Sequence, residues 1–177
     1  RYLIKDPHLY LNYGSHLACP RKPEIFEQPK LLIREAGARI TATYDEDNYY
    51  IMSSLYNAIL IDDSYDLKYL LGLLNSKLMQ YIMNKLTFEK TKGAFTKAKI
   101  YHYYNLPIKK TDSQSVIAKL VNEILTQNQN GNKGKIEQLE NKIDFLVYHL
   151  YSLTYDEVLV VDPDTPITRE EYEAYKG

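Results

Sequence analysis

Tryptophan is absent from the 177 residues, and there is a single cysteine, Cys19. One cysteine excludes an internal disulfide and points to a reducing, cytoplasmic compartment. No sequence feature pairs Cys19 with a base, which a thiol nucleophile needs. No apolar run approaches the roughly 18–20 residues that span a bilayer, and no secretory signal opens the chain, so no membrane partner is expected. The seven glycines are scattered singly, which excludes a glycine-rich phosphate loop. The four histidines, His8, His16, His102 and His149, show no spacing to each other or to carboxylates that would suit a metal. The chain opens at Arg1 and not at Met, as expected for a piece of a longer protein.

What is present is globular in character: 45% hydrophobic and 25% charged residues, enough for one domain or one domain with a helical appendage. Tyrosine is the outlier, at 18 against four phenylalanines. It suits surfaces that contact something, because a ring packs while a hydroxyl bonds, but it is also a good strand residue. The formal net charge is only −1, yet positive charge is concentrated. Between Lys85 and Lys110 lie seven lysines (Lys85, Lys90, Lys92, Lys97, Lys99, Lys109, Lys110) and one acid, Glu89. Phe88, Phe95, Tyr101, His102, Tyr103 and Tyr104 are interleaved with them. Such a mixture suits a surface facing a phosphate backbone; the plain alternative is a solvated loop and helix end.

Residues 1–29 are punctuated by Asp6-Pro7, Asn12-Tyr13-Gly14, Cys19-Pro20, Lys22-Pro23 and Gln28-Pro29 and read as loop. Lys30–Arg34 and Arg39–Tyr44 are short, apolar or alternating and β-branched, with a turn at Glu35-Ala36-Gly37. After a polar turn at Asp45–Asn48, Tyr49–Ile61 supplies one or two more strands, so a small antiparallel meander is expected. Asp66 is a good N-cap, and Leu67, Leu70, Leu71, Leu74, Leu78 and Ile82 predict a helix over Leu67–Asn84. Thr87–Thr96 reads as loop and Lys97–Tyr104 as a strand. Thr111-Asp112-Ser113-Gln114 has capping-box form and precedes a helix with Val116, Ile117, Leu120, Val121, Ile124 and Leu125 on one face. Asn128–Gly134 breaks it. Ile136, Leu139, Ile143, Leu146 and Leu150 then form a heptad-type seam. Further capping boxes stand at Thr154–Glu157 and Thr168–Glu171, and the end of the chain is acidic. The expected fold is α+β: a small twisted antiparallel sheet with a packed helix, then a C-terminal helical hairpin.

Two fragments look like catalytic motifs and fall short. Asn105-Leu106-Pro107-Ile108 resembles the Asn-Pro-Pro-aromatic motif of amino-methyltransferases without its first proline or its aromatic. Pro163-Asp164 with Glu173-Ala174-Tyr175-Lys176 resembles a nuclease Pro-Asp…Glu-x-Lys pattern with one residue too many. The chain is therefore expected to catalyse nothing itself.

An ordered series of segments carries a resemblance. Leu32-Ile33-Arg34, Ala42-Thr43-Tyr44-Asp45, Leu55-Tyr56-Asn57, Leu70-Leu71-Gly72-Leu73-Leu74-Asn75-Ser76-Lys77 and Leu106-Pro107-Ile108 follow one another as in the TaqI-like C-terminal specificity domain. This is the target-recognition region of adenine-specific DNA methyltransferases and of fused restriction-modification enzymes. Residues 136–158 are similar to the C-terminal helix of the same enzymes. The resemblance implies double-stranded DNA as partner, a methyltransferase catalytic domain preceding Arg1, and S-adenosylmethionine as cofactor of that parent, with none bound by this piece. Two parts are expected: residues 1–110 recognising DNA, and residues 111–177, the hairpin and acidic tail, whose apolar seam suits bracing them against the catalytic domain.

Taken with the charge pattern, the resemblance makes Lys90, Lys92, Lys97 and Lys99 candidates for phosphate contacts, which set register and not sequence choice. Arg34 and Arg39 are candidate base readers, or else strand arginines that pair with Glu35 or Asp45. Thr96 is a weaker candidate, with Thr87 and Thr91, and Lys109 and Lys110 are expected at a helix approach. A different class of function stays open beside this one: a protein-interaction or structural module whose hairpin seam docks on a partner helix.

Overall fold

The computed structural model describes residues 2, 12–37, 39–88 and 98–176. Its core element is the strand β1, Lys30–Arg34, buried at its first four positions. An apolar strand of this kind needs cover on both faces and both edges, and β1 is accordingly central. It pairs antiparallel with β2 (Ala42–Asp45) on one side and antiparallel with β3 (Leu55–Ala58) on the other, in the order β2-β1-β3. The expected meander is thus corrected, because residues 46–54 carry the chain across to the far edge of β1. Strand bounds shift as well. Arg39 and Ile40 precede β2, and of Tyr49–Ile61 only Leu55–Ala58 is strand. The α+β class holds, with a three-stranded sheet and a largely helical remainder.

Leu31, Ile33, Ala42, Tyr44, Tyr56 and Ala58 alternate onto the face that joins the helical core. On the other face Lys30 and Asp45 are opposite each other in register and form an ion pair with both side chains fully buried. Their remaining polar capacity is met locally. Lys30 Nζ donates to the Phe26 carbonyl at 2.6 Å, and the Asp45 carboxylate accepts from the Asp47 and Tyr49 N–H groups, each at 3.0 Å. A buried pair is tolerable only when satisfied in this way.

Asp66 caps the next helix, its Oδ1 accepting from Lys68 N (2.6 Å) and Tyr69 N (3.2 Å). The single helix predicted over Leu67–Asn84 is two: α1, Leu67–Asn75, and α2, Lys77–Phe88. Between them Ser76 is extended (φ −68°, ψ 156°). Its hydroxyl donates to the Leu73 carbonyl (2.7 Å) and accepts from Met79 N (3.3 Å), the local competition that unwinds helices at serine. Asp144 accepts from Lys77 N at 2.8 Å, placing a carboxylate at the new N-terminus of α2. The break aims two amides at the sheet. Asn75 accepts from Ala42 N and donates to Ala42 O, both at 3.0 Å, and Gln80 Oε1 accepts from Ile40 N at 2.5 Å. The outer edge of β2 is thereby covered at Ala42, whose carbonyl also accepts from Tyr2 N at 3.1 Å. Thr87, expected in a loop, ends inside α2, its hydroxyl donating to Met83 O at 2.9 Å.

Of the predicted strand Lys97–Tyr104, Lys97 lies outside the described residues and Ile100–Tyr103 is instead a helical turn, α3. Local bonds decide it: His102 N donates to Lys99 O (2.9 Å) and Lys99 N donates to His102 Nδ1 (3.0 Å). The helical hairpin is present as α4, Gln114–Gln129, and α5, Lys133–Leu150, joined through Gly131 at φ +70°. Its first capping box does not form. Gln114 reaches across to the loop before α1, accepting from Asp66 N and donating to Ser64 O. The other two boxes do form, opening α6, Tyr155–Val161, and α7, Arg169–Glu173.

One apolar cluster runs from the sheet through α1 into the hairpin, including Leu71, Ile117, Val121, Leu139 and Ile143. Gly72 allows the close crossing of α1 and α4: a methyl there would lie 2.5 Å from Ile117 Cγ2 and 3.2 Å from Val121 Cγ2. The heptad seam is therefore largely occupied within the chain.

Candidate nucleic-acid interface

At the C-terminal end of β1 the chain turns through residues 35–41. A methyl added to Gly37 would lie 3.5 Å from the Arg39 carbonyl and 3.9 Å from Arg34 Cδ, so both arginines border one turn. Glu35 ties this turn to two other segments. Its N–H donates to Ser54 O at 3.0 Å, just before β3, and its carboxylate lies 3.5 Å from Lys99 Nζ. Tyr56 on β3 donates its hydroxyl to the Ala98 carbonyl at 3.2 Å and meets the Tyr103 ring edge-on at 6.0 Å. The β1–β2 turn, the start of β3 and residues 98–104 therefore converge at one end of the sheet. Burial raises the Tyr56 hydroxyl and pushes that of Tyr103 up to about 12, so both are neutral near pH 7.

The charges at this end are held loosely. Arg34 and Arg39 are exposed, and among the described residues no side-chain hydrogen bond or ion pair fixes either guanidinium. The pairing of a strand arginine with Glu35 or Asp45 does not occur among them, because Glu35 faces Lys99 and Asp45 faces Lys30. Lys99 is half exposed. A surface pair of that kind stabilises by about 0–1 kcal/mol, so its ammonium can exchange Glu35 for a phosphate at little cost. Lys90, Lys92, Thr96 and Lys97, with Thr91, lie outside the described residues.

The other lysines of the basic stretch are engaged elsewhere. Lys109 Nζ donates to the Leu150 carbonyl at 2.7 Å, closing the C-terminus of α5, where positive charge is favoured. Its N–H donates to the Tyr151 hydroxyl at 3.1 Å, and its carbonyl accepts from Tyr69. Lys110 lies over the Tyr65 ring at 5.8 Å and Lys85 over Tyr81 at 5.1 Å. Both modes fit the expected helix approach for Lys109 and Lys110. Reading residues 97–104 as a strand hid one further feature, the solvent-facing side of α3. The signal was present in the apolar residues Ile100, Tyr101 and Tyr104, which share a face only at helical spacing.

Among the described residues no group of three or more His, Cys, Asp or Glu side chains could hold a metal ion, and no helix is long and apolar enough to cross a membrane. Residues 1–108 match the family model described as the TaqI-like C-terminal specificity domain. No curated protein matches the chain.

Proposed function

The chain belongs to the family of TaqI-like C-terminal specificity domains, and from that premise we propose that it selects the duplex DNA target of a restriction-modification adenine DNA methyltransferase. On this reading the catalytic domain and its S-adenosylmethionine belong to another part of the parent protein, which works in the cytoplasm, and this chain contributes recognition only. Lys90, Lys92, Lys97 and Lys99 hold phosphates and set the register of the protein on the duplex. Arg34 and Arg39 reach base edges, where a bidentate contact contributes about 1–3 kcal/mol of discrimination, and Thr96 adds a hydroxyl. Residues 111–177 brace residues 1–110 against the catalytic domain.

The observation that carries the reading is the gathering, within the matched residues, of Arg34, Arg39 and Lys99 at one end of the sheet, with Lys99 contributed by the lysine-rich stretch. It is tested by fluorescence anisotropy with labelled duplex DNA at low salt. The parent chain is expected to bind with steep salt dependence. Reversing the charge of Lys90, Lys92 and Lys97 together should weaken binding to every sequence. It should also flatten the log–log salt slope by about 0.9 for each phosphate no longer neutralised. Replacing Arg34 and Arg39 by alanine should narrow the gap between preferred and random duplexes. Equal binding by the lysine variant and the parent would sink the phosphate assignment.

A further inference from the structure

The turn α3 has its polarity reversed for a surface element. His102 is buried at 6% exposure and Tyr103 packs on the core, while Ile100 (48%), Tyr101 (45%) and Tyr104 (79%) are exposed. Tyr104, which caps the turn, follows Tyr101 by three residues and Ile100 by four, so these three side chains share one side of it. Packing does not require them there, since the opposite side already anchors α3 through Tyr103 on Tyr56 and through the Lys99–His102 bonds. The turn is also stiffened from below: Asn105 Nδ2 donates to the Tyr101 carbonyl at 2.6 Å, and the Tyr101 ring leans on His102 at 4.1 Å between centroids. Among the described residues no hydrogen bond or ring contact holds the Tyr104 side chain. Apolar side chains grouped in this way suit a contact surface.

Charge identifies what covers it. Lys99 is the residue immediately before the patch, and Arg34 and Arg39 stand at the same end of the sheet. A polyanion with flat apolar faces complements such a surface, and nucleic acid has both: phosphates for the cations and bases for the rings. We propose that the Ile100–Tyr101–Tyr104 face of α3 is a base-contacting element, with the Tyr104 ring stacking on a nucleobase exposed where the bound duplex is distorted and Lys99 holding the backbone beside it. This assignment rests on the DNA-recognition reading above and adds to it a residue that senses the shape and deformability of the target, not its charge. Apolar side chains wedged at a base step act in this way elsewhere.

The test uses the duplex that the chain itself retains most tightly from a randomised pool, with an arbitrary duplex of equal length as the control. Tyr104→Ala is expected to bind the retained duplex about 10-fold more weakly, the size of one base–aromatic stack, and the arbitrary duplex as the parent does. The salt slope should stay unchanged, because every phosphate keeps its cation. Tyr104→Phe and Tyr104→Trp should bind as the parent does, since the ring and not the hydroxyl makes the contact. A Tyr104→Ala variant that binds the retained duplex within twofold of the parent overturns the proposal. So does one that loses affinity equally for both duplexes, and so does one that binds DNA normally but loses self-association by light scattering. A parent that binds no duplex at low salt overturns the DNA-recognition reading and this one with it, whereas a binding parent with an indifferent Tyr104 overturns only this one. Unchanged far-UV circular dichroism checks that each variant is folded.

Discussion

At Lys77 an ammonium sits 2.7 Å from the buried Asp162 carboxylate, which also accepts from Tyr148 at 3.4 Å. At Lys99 an ammonium sits 3.5 Å from Glu35, half exposed. These two lysines typify two regions built from the same residue types. Around α6 and α7 the charges pair and the rings face each other: Arg169 bridges Asp156 and Glu173, and His149 stacks on Tyr172 at 4.1 Å and 18°, with Phe145 and Tyr175 against the same group. At the end of the sheet Arg34 and Arg39 have no side-chain partner among the described residues, and Tyr104 points to solvent. The contrast shows that neither lysine nor tyrosine content marks a binding surface. What separates these two regions is how far those side chains are held by partners within the described residues.

A fully buried ion pair of the sheet and the half-exposed pair at its end should differ most. Asp45→Ala leaves Lys30 buried without its counter-ion, and urea denaturation should show a loss of about 3–5 kcal/mol. Lys99→Ala, in the exposed region, should move stability by no more than about 0.5 kcal/mol. If the two losses are similar, the contrast between satisfied and available charge fails. Next in size, Gly72→Ala pushes a methyl against Ile117 and Val121. Overpacking costs about 1–3 kcal/mol, offset by a gain of about 1 kcal/mol in helix propensity, so a net loss of up to about 2 kcal/mol is expected. A combined Gly72→Ala/Ile117→Ala variant should lose less than the sum of the two single changes, because the clash is removed with Ile117.

The C-terminal cluster also responds to acid. Burial lowers the folded-state pKa of His149 below its ordinary value near 6.5. The unfolded chain therefore takes up the proton first, and stability should fall as the pH drops through about 6.5, while staying unaffected well above it. Melting curves at pH 7.5 and 5.5 for the parent and for His149→Phe check this, since the variant should lose that part of the pH dependence. The smallest effect belongs to the exposed end of the sheet. There, Lys99→Ala should flatten the salt slope of DNA binding by about 0.9 with melting temperature unchanged.

Several elements were readable from local pattern alone. β1 was legible because Lys30–Arg34 is a short apolar run after a proline. Helix α1 was legible because Asp66 precedes a leucine stripe, and α5 because Leu139, Ile143 and Leu146 keep one face. The capping boxes at Thr154 and Thr168 formed because each needs only residues within one turn. What misled was contact at long range. Gln114 had the form of a local cap and instead bonds residues 64 and 66. Ser76 looked like one more helical residue until Asp144, from α5, took the N–H of Lys77. Arg34 and Arg39 could have paired with Glu35 or Asp45 on sequence distance alone, but cross-strand register gives Asp45 to Lys30, and the fold brings Lys99 to Glu35.

By itself the sequence determined the kinds of element present, the concentration of lysine between residues 85 and 110, and the ordered segments that mark the family. Each of these is a property of neighbours along the chain. The tertiary structure alone decided which lysines are engaged and which are available. Lys109 is spent on the carbonyl of Leu150, 41 residues away, whereas Lys99 stands beside an exposed aromatic face. The physical reason is that a charged side chain is satisfied by whatever the fold brings within about 3 Å of it, and that distance is not written in the spacing of residues.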